Sequence, residues 1–155
     1  AKTNFADAWC SALNRSARQG IIVGTDKNRD LAFVFVPELP SGANPLPEAR
    51  LAETQAGDDV SVIGHPQGFL WTVTTGIVSG VRQRYPMGAA LGTIIQTQTP
   101  ISPGSSGGPL LTPNGALLGV MVWGVFEDAQ GLNAAIAINE IQMFSAEQER
   151  KLKRK

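Results

Sequence analysis

The apolar residues of this chain come in short runs rich in Val, Ile and Thr, and the runs are separated by Gly, Pro and Asn at close spacing. Branched side chains at this density suit a pleated surface, and the frequent turn formers leave no room for long helices. The pattern predicts strands near residues 8–14, 20–24, 31–36, 60–64, 71–81, 91–99, 109–112, 116–123 and 132–138. Many short strands without intervening helices must bury their apolar faces against each other, as a sandwich or a barrel does. Composition fits an all-β reading: 17 glycines, 10 prolines and only 17% charged residues in 155. Pro113-Asn114-Gly115 between two apolar runs is a hairpin turn signal, because Asn-Gly accepts positive φ cheaply.

Residues 37–50 carry four prolines and few strand formers, so they read as a linker between two β units. The last segment, 139–155, is the one convincing helix. Asn139 is its expected cap with Gln142 as partner, and Ile138, Ile141 and Phe144 form its apolar face. Glu147 with Lys151 and Glu149 with Lys153 sit at helical pairing distance. The expected division is 1–36, 37–50, 51–138 and 139–155.

Five of the 13 basic residues fall in the last six positions, so the rest of the chain holds eight basic against 13 acidic residues, a net −5. That argues against a nucleic-acid surface on the body. No apolar run approaches the roughly 18–20 residues of a membrane span. Cys10 is the single cysteine, which excludes an internal disulfide and reads as a small apolar filler. The three tryptophans, Trp9, Trp71 and Trp123, read as core or rim packing. No metal or other cofactor is called for. The chain opens Ala1-Lys2-Thr3, with no initiator methionine and no signal-peptide pattern.

Residues 103–110, Pro-Gly-Ser-Ser-Gly-Gly-Pro-Leu, carry the chemistry. Acyl transfer needs a hydroxyl aimed at a carbonyl carbon and N–H groups aimed at the oxygen that becomes negative. A bend that turns two N–H groups into one concavity needs backbone angles that glycine supplies. In that geometry Ser106 is the nucleophile, and the N–H groups of Gly104 and Ser106 form the oxyanion hole. A plain Gly/Ser turn between strands is the competing reading of this motif alone.

The neighbouring blocks resemble the HtrA-like trypsin-type peptidases. Ile94-Ile95-Gln96-Thr97, Pro100-Ile101-Ser102-Pro103-Gly104-Ser105-Ser106-Gly107-Gly108-Pro109-Leu110-Leu111 and Leu118-Gly119-Val120 look like that family's nucleophile region. Val62-Ile63-Gly64-His65-Pro66-Gln67-Gly68, Thr75-Gly76-Ile77-Val78-Ser79 and Gly131-Leu132-Asn133-Ala134-Ala135-Ile136-Ala137-Ile138 resemble other family blocks, in family order. The resemblance implies a chymotrypsin-like double β-barrel, here with the first barrel incomplete, followed by the C-terminal helix. It implies a serine endopeptidase acting on polypeptide substrates. Asp26-Lys27-Asn28-Arg29-Asp30-Leu31-Ala32 is similar to the family's Asp-x-x-x-Asp-Leu-Ala segment, which makes Asp30 the orienting acid and leaves Asp26 to turn chemistry.

The chain departs from the family in one important place. The family's histidine lies before the acid, in a Thr-x-x-His-Val segment, and no histidine precedes Asp30 here. The expectation is that the general base and the first strands of barrel one fall outside this chain, which would then be a poor catalyst by itself. His65, the only histidine, occupies a position that relatives fill with Asn and is read as a polar loop residue. A non-catalytic pseudopeptidase that binds peptides or serves as a scaffold is the alternative, and a purely structural barrel the third reading. Ser105 stands where relatives carry Asn or Asp, so activation by pairing with a new N-terminus is not expected. For substrate binding the resemblance points to Pro100, Ile101, Val120, Val122 and Trp123, with no acid among them, and hence to an apolar or small residue at the cleavage site. Family habit further implies an extracytoplasmic compartment, such as the periplasm, and oligomerisation through N-terminal segments.

Overall fold

The computed structural model describes residues 5–8, 18–39, 41–122 and 132–154. Three strands, β1 (Phe5–Ala8), β2 (Arg18–Asp26) and β3 (Leu31–Phe35), form an antiparallel sheet in sequence order. The strand expected at 8–14 lies almost wholly outside the described residues, as do Trp9, Cys10 and Trp123.

Six further strands close a barrel. They are β4 (Asp59–Gly64), β5 (Thr72–Met87), β6 (Ala90–Thr97), β7 (Pro109–Leu111), β8 (Leu117–Val122) and β9 (Asn133–Ala137). Their order is β4-β5-β6-β9-β8-β7, every neighbouring pair is antiparallel, and β7 returns to β4. Closure leaves no unpaired edge. The fold is therefore the all-β, chymotrypsin-like arrangement expected, with one closed barrel and one incomplete sheet.

Register explains why the later strands are continuously apolar rather than alternating. Val60, Val62, Val78, Ile95, Leu110, Leu118, Met121, Ala135 and Ala137 fill the barrel interior. On the other face of the β6-β9-β8 wall, Met87, Ile94, Val122, Ala134 and Ile136 form a second cluster, covered by Leu31, Tyr85 and Ile141. A wall buried on both faces needs apolar residues at odd and even positions alike.

The helix α1 (Ile138–Leu152) follows β9 directly and packs on both β units. Phe144 is buried and meets Phe33 of β3 edge-on, with centroids 6.5 Å apart at 88°. Gln148 is also buried, and its side chain fills the space that a Cβ on Gly24 of β2 would take. The expected cap is corrected here. Ala137 occupies the N-cap with no side-chain cap bond, and Asn139, inside the first turn, donates sideways from Nδ2 to Thr93 Oγ1 at 3.2 Å. Packing of the helix start against β6 takes the place of a cap. None of the described helices is long and apolar enough to cross a membrane.

The β5–β6 hairpin is longer than expected, running through Arg84 and Pro86 to a tip at Gly88. Register irregularities near Gly80 and between Arg82 and Tyr85 bend it. The bend brings the tip to β2–β3, where Ala89 N–H donates to Asn28 Oδ1 at 3.2 Å. The segment before β4 has no strand of its own, but it docks on β8 through Leu117 N–H to Pro47 O at 2.7 Å and Ala49 N–H to Leu117 O at 2.9 Å.

Candidate active site

The loop between β6 and β7 carries Ser106 and is held by main-chain bonds from three directions. Within the loop, Ser105 N–H donates to Ser102 O at 2.9 Å and Gly108 N–H to Ser105 O at 3.0 Å. From β8, Met121 accepts from Gly107 N–H and donates to Gly108 O, both at 2.9 Å. From the β4–β5 loop, His65 N–H donates to Gly104 O at 3.2 Å and Gln67 N–H to Pro103 O at 3.0 Å. Gly104 has φ +102 and Gly107 φ +83. A side chain at Gly104 would strike the carbonyl oxygen of His65, so glycine is required there for space as well as for torsion.

Ser106 is exposed, and its hydroxyl has no hydrogen-bond partner among the described residues. The N–H groups of Gly104 and Ser106 likewise donate to no described residue, in a loop where the N–H groups of Ser105, Gly107 and Gly108 are all engaged. Two free donors two residues apart, beside an exposed hydroxyl, are what stabilising a developing oxyanion needs. Ser105 is buried, and its hydroxyl accepts from Ser102 N–H at 3.3 Å, so it serves the loop's own closure.

Asp30 ends the turn between β2 and β3 with φ +53, in the left-handed region. It is exposed, and its carboxylate has no partner among the described residues. Asp26 does the turn chemistry expected of it: its Oδ1 accepts from Asn28 N–H at 2.9 Å and Arg29 N–H at 3.1 Å. Burial pulls the Asp26 carboxyl upward, but the Arg29 N–H, the Arg29 guanidinium and the Asn28 N–H outweigh it and hold the group below its ordinary value.

The binding-site residues divide. Pro100 is exposed, and Ile101 packs against the barrel-interior cluster. Val120 lies opposite Ile136, and Val122 is buried in the outer cluster, so the structure does not gather these two valines with Ile101. Met121, which sequence reasoning did not name, shares the interior with Ile101 and binds the 102–108 loop through its main chain. Trp123 lies outside the described residues. His65 contributes through its backbone, while its ring packs edge-on against Trp71 at 4.9 Å.

A closed antiparallel barrel whose β6–β7 loop presents a glycine-bracketed serine, joined to a second β unit, defines the chymotrypsin-like serine peptidase class. Residues 3–120 match the trypsin-like peptidase domain family. The chain belongs to that family, and its relatives within it are HtrA-like. It is 34% identical over 135 residues to the serine protease Do-like HtrA of Bacillus subtilis, covering 81% of this chain and 29% of that protein. It is 39% identical over 110 residues to a probable periplasmic serine endoprotease DegP-like of Pseudomonas putida, covering 69% and 22%. Among solved structures it resembles the HtrA-type protease AlgW with decapeptide, with a TM-score of 0.77 and 27% identity over 88% of this chain and 42% of that one. The chain thus spans less than a third of either curated relative.

Proposed function

We propose that this chain is the main part of a serine endopeptidase domain that hydrolyses peptide bonds through an acyl-enzyme on Ser106. In this reading the Ser106 hydroxyl adds to the scissile carbonyl and gives its proton to an imidazole. The Gly104 and Ser106 N–H groups hold the oxyanion, and the protonated imidazole hands its proton to the leaving amine. Water then repeats the sequence on the acyl-enzyme and frees the acid product. Asp30 orients the imidazole. His65 is the only histidine of the chain and its ring is engaged with Trp71, so the proposal assigns the base to a histidine outside these residues.

The observation that carries the reading is the pinned 102–108 loop with two N–H groups left free beside an exposed serine. The substrate class is polypeptide, with an apolar or small residue accepted at the cleavage site, because the segment before Ser106, Gln98 to Ser102, and the strand after it, Gly119 to Gly124, contain no acid. The AlgW structure, solved with a decapeptide, supports a peptide ligand. The name of the Pseudomonas relative supports an extracytoplasmic location. Oligomerisation through N-terminal segments belongs to the same proposal and rests on family habit.

The test is labelling of the full-length gene product with a fluorophosphonate probe. Labelling that Ser106→Ala abolishes supports the endopeptidase. A folded protein that never labels favours the second reading, a peptide-binding pseudopeptidase.

A further inference from the structure

The turn that carries Asp30 is tied to the rest of the molecule by a network of charged groups, of which Glu140 is buried and Arg29 and Asp26 are partly buried. The Arg29 guanidinium spans two carboxylates: Nη1 reaches Asp26 Oδ2 at 2.6 Å within the turn, and Nε reaches Glu140 Oε2 at 3.0 Å on α1. Glu140 is 3% exposed, and its other oxygen accepts from Thr93 N–H of β6 at 2.8 Å. Asn139 binds the Thr93 hydroxyl, and Asn28 holds the tip of the β5–β6 hairpin. One chain of bonds therefore links the first sheet, the helix and the barrel, and it meets the turn one residue before Asp30.

The Asp30 carboxylate has no partner among the described residues, so nothing at its own side chain fixes it. Its backbone lies in the left-handed region, directly after Arg29, whose N–H and side chain are both bound by Asp26. Charge-assisted bonds in a fork geometry give direction as well as strength. We propose that Arg29 and Glu140 are positioning residues for the catalytic acid, a latch through which the C-terminal helix sets where Asp30 stands relative to the barrel that bears Ser106. The inference rests on the assignment of Asp30 made above. Raising of the Arg29 guanidinium above its ordinary value by the Glu140 hydrogen bond, against the pull of burial, accords with the geometry.

The test compares Asp30→Asn, Glu140→Gln and Arg29→Lys in the full-length gene product. It follows fluorophosphonate labelling from about pH 5 to 9, the range where an imidazole titrates, with thermal melting as the fold control. Glu140→Gln is expected to slow labelling by about ten- to a hundredfold, the size of effect that a small misplacement produces. It is also expected to move the midpoint of the pH profile down, toward that of Asp30→Asn, because a displaced carboxylate no longer favours the imidazolium. KM for a peptide substrate should hold while kcat falls. Arg29→Lys keeps the charge but cannot span both carboxylates, and it carries the same test where Glu140→Gln does not fold. Folded latch variants with the wild-type rate and midpoint, beside a crippled Asp30→Asn, overturn the latch alone. An Asp30→Asn protein that labels like wild type overturns it too, and the fault then lies with the assignment of the acid.

Discussion

Alanine at Gly104, Gly107 and Gly108 separates torsional strain from steric strain in the nucleophile loop. At Gly107, φ is +83 and a Cβ would meet nothing within 4 Å. The left-handed region costs an L-residue about 1–2 kcal/mol, and loss of glycine's freedom in the unfolded chain returns about 0.4–1 kcal/mol. A net loss of about 0.5–1 kcal/mol follows for Gly107→Ala. At Gly108 the backbone is ordinary, but a Cβ would strike Ile63 O and lie 2.9 Å from Ser105 O. Overpacking of that kind costs about 1–3 kcal/mol. Gly104 combines both: φ is +102, beyond the left-handed well, and the Cβ would strike His65 O and lie 3.0 Å from its carbonyl carbon. Adding a strained torsion of about 1–3 kcal/mol to a clash of similar size puts Gly104→Ala at about 3–4 kcal/mol. With a urea slope of about 2 kcal/mol per molar, the midpoints should fall by about 1.5–2 M for Gly104→Ala and by less than about 0.5 M for Gly107→Ala. Circular dichroism in urea reads both. The clash also pushes the loop off His65, so labelling of the full-length protein should fall by about a hundred- to a thousandfold as an oxyanion donor is misplaced. A Gly107→Ala protein as destabilised as Gly104→Ala would refute the reasoning, since it would mean that torsion alone sets the cost and the His65 contact counts for nothing.

The remaining predictions concern the packing and charge of the scaffold. Phe144→Ala removes a buried ring that meets Phe33 edge-on, and a loss of about 3–5 kcal/mol is expected in equilibrium denaturation; a loss below about 1 kcal/mol would mean that α1 does not hold the two units together. Gly76→Ala puts a Cβ 2.7 Å from Thr99 Cα and 2.8 Å from its nitrogen, backbone that cannot yield, whereas Gly24→Ala meets only the end of the Gln148 side chain. The first should cost about 2 kcal/mol or more and the second less than about 1 kcal/mol, and melting temperatures in the reverse order would contradict the packing. Asp26 titrates below its ordinary value of 3.8, so its contribution is fully present above that pH and is lost as pH falls through the folded value. Asp26→Asn should flatten the acid side of the stability curve, and an unchanged slope between about pH 2 and 4 would remove Asp26 from the account.

Most barrel strands were legible because their signal is local: branched apolar residues between glycines and prolines. The far half of β5 was not. Arg82 through Met87 looks like a turn, with two arginines and Pro86, but it continues the strand past an irregularity at Arg84, with Tyr85 covering the outer cluster and the hairpin tip reaching Asn28. The helix start was misread for the same reason. Asn139 has the composition of a cap, but Thr93 of β6 claims its side chain, and no pattern within the helix announces a partner 46 residues away.

The site divides along the same line. The Ser106 loop stood out because its glycines, its proposed nucleophile and its proposed donors lie within five consecutive residues. The Arg29–Glu140 contact spans 111 residues and could not. The grouping of the expected binding residues was harder to read for a different reason. In β8 the run Leu117–Val122 is apolar at every position because both faces of the wall are buried, so alternation no longer says which side chains face inward. One clue survives in the run. Gly119 lies opposite Ala137, an interior residue, and a Cβ there would come 2.6 Å from Ile136 O, so the small residue marks a position where the wall leaves no room. Met121 packs inward with Ile101, while Val122 faces the outer cluster and Val120 lies opposite Ile136 of that cluster; Leu118, just before the glycine, also lies in the interior cluster, so strict alternation does not run through the whole strand. The tight cross-strand contact at the glycine, rather than apolarity, is what marks the inward side of the wall at that position.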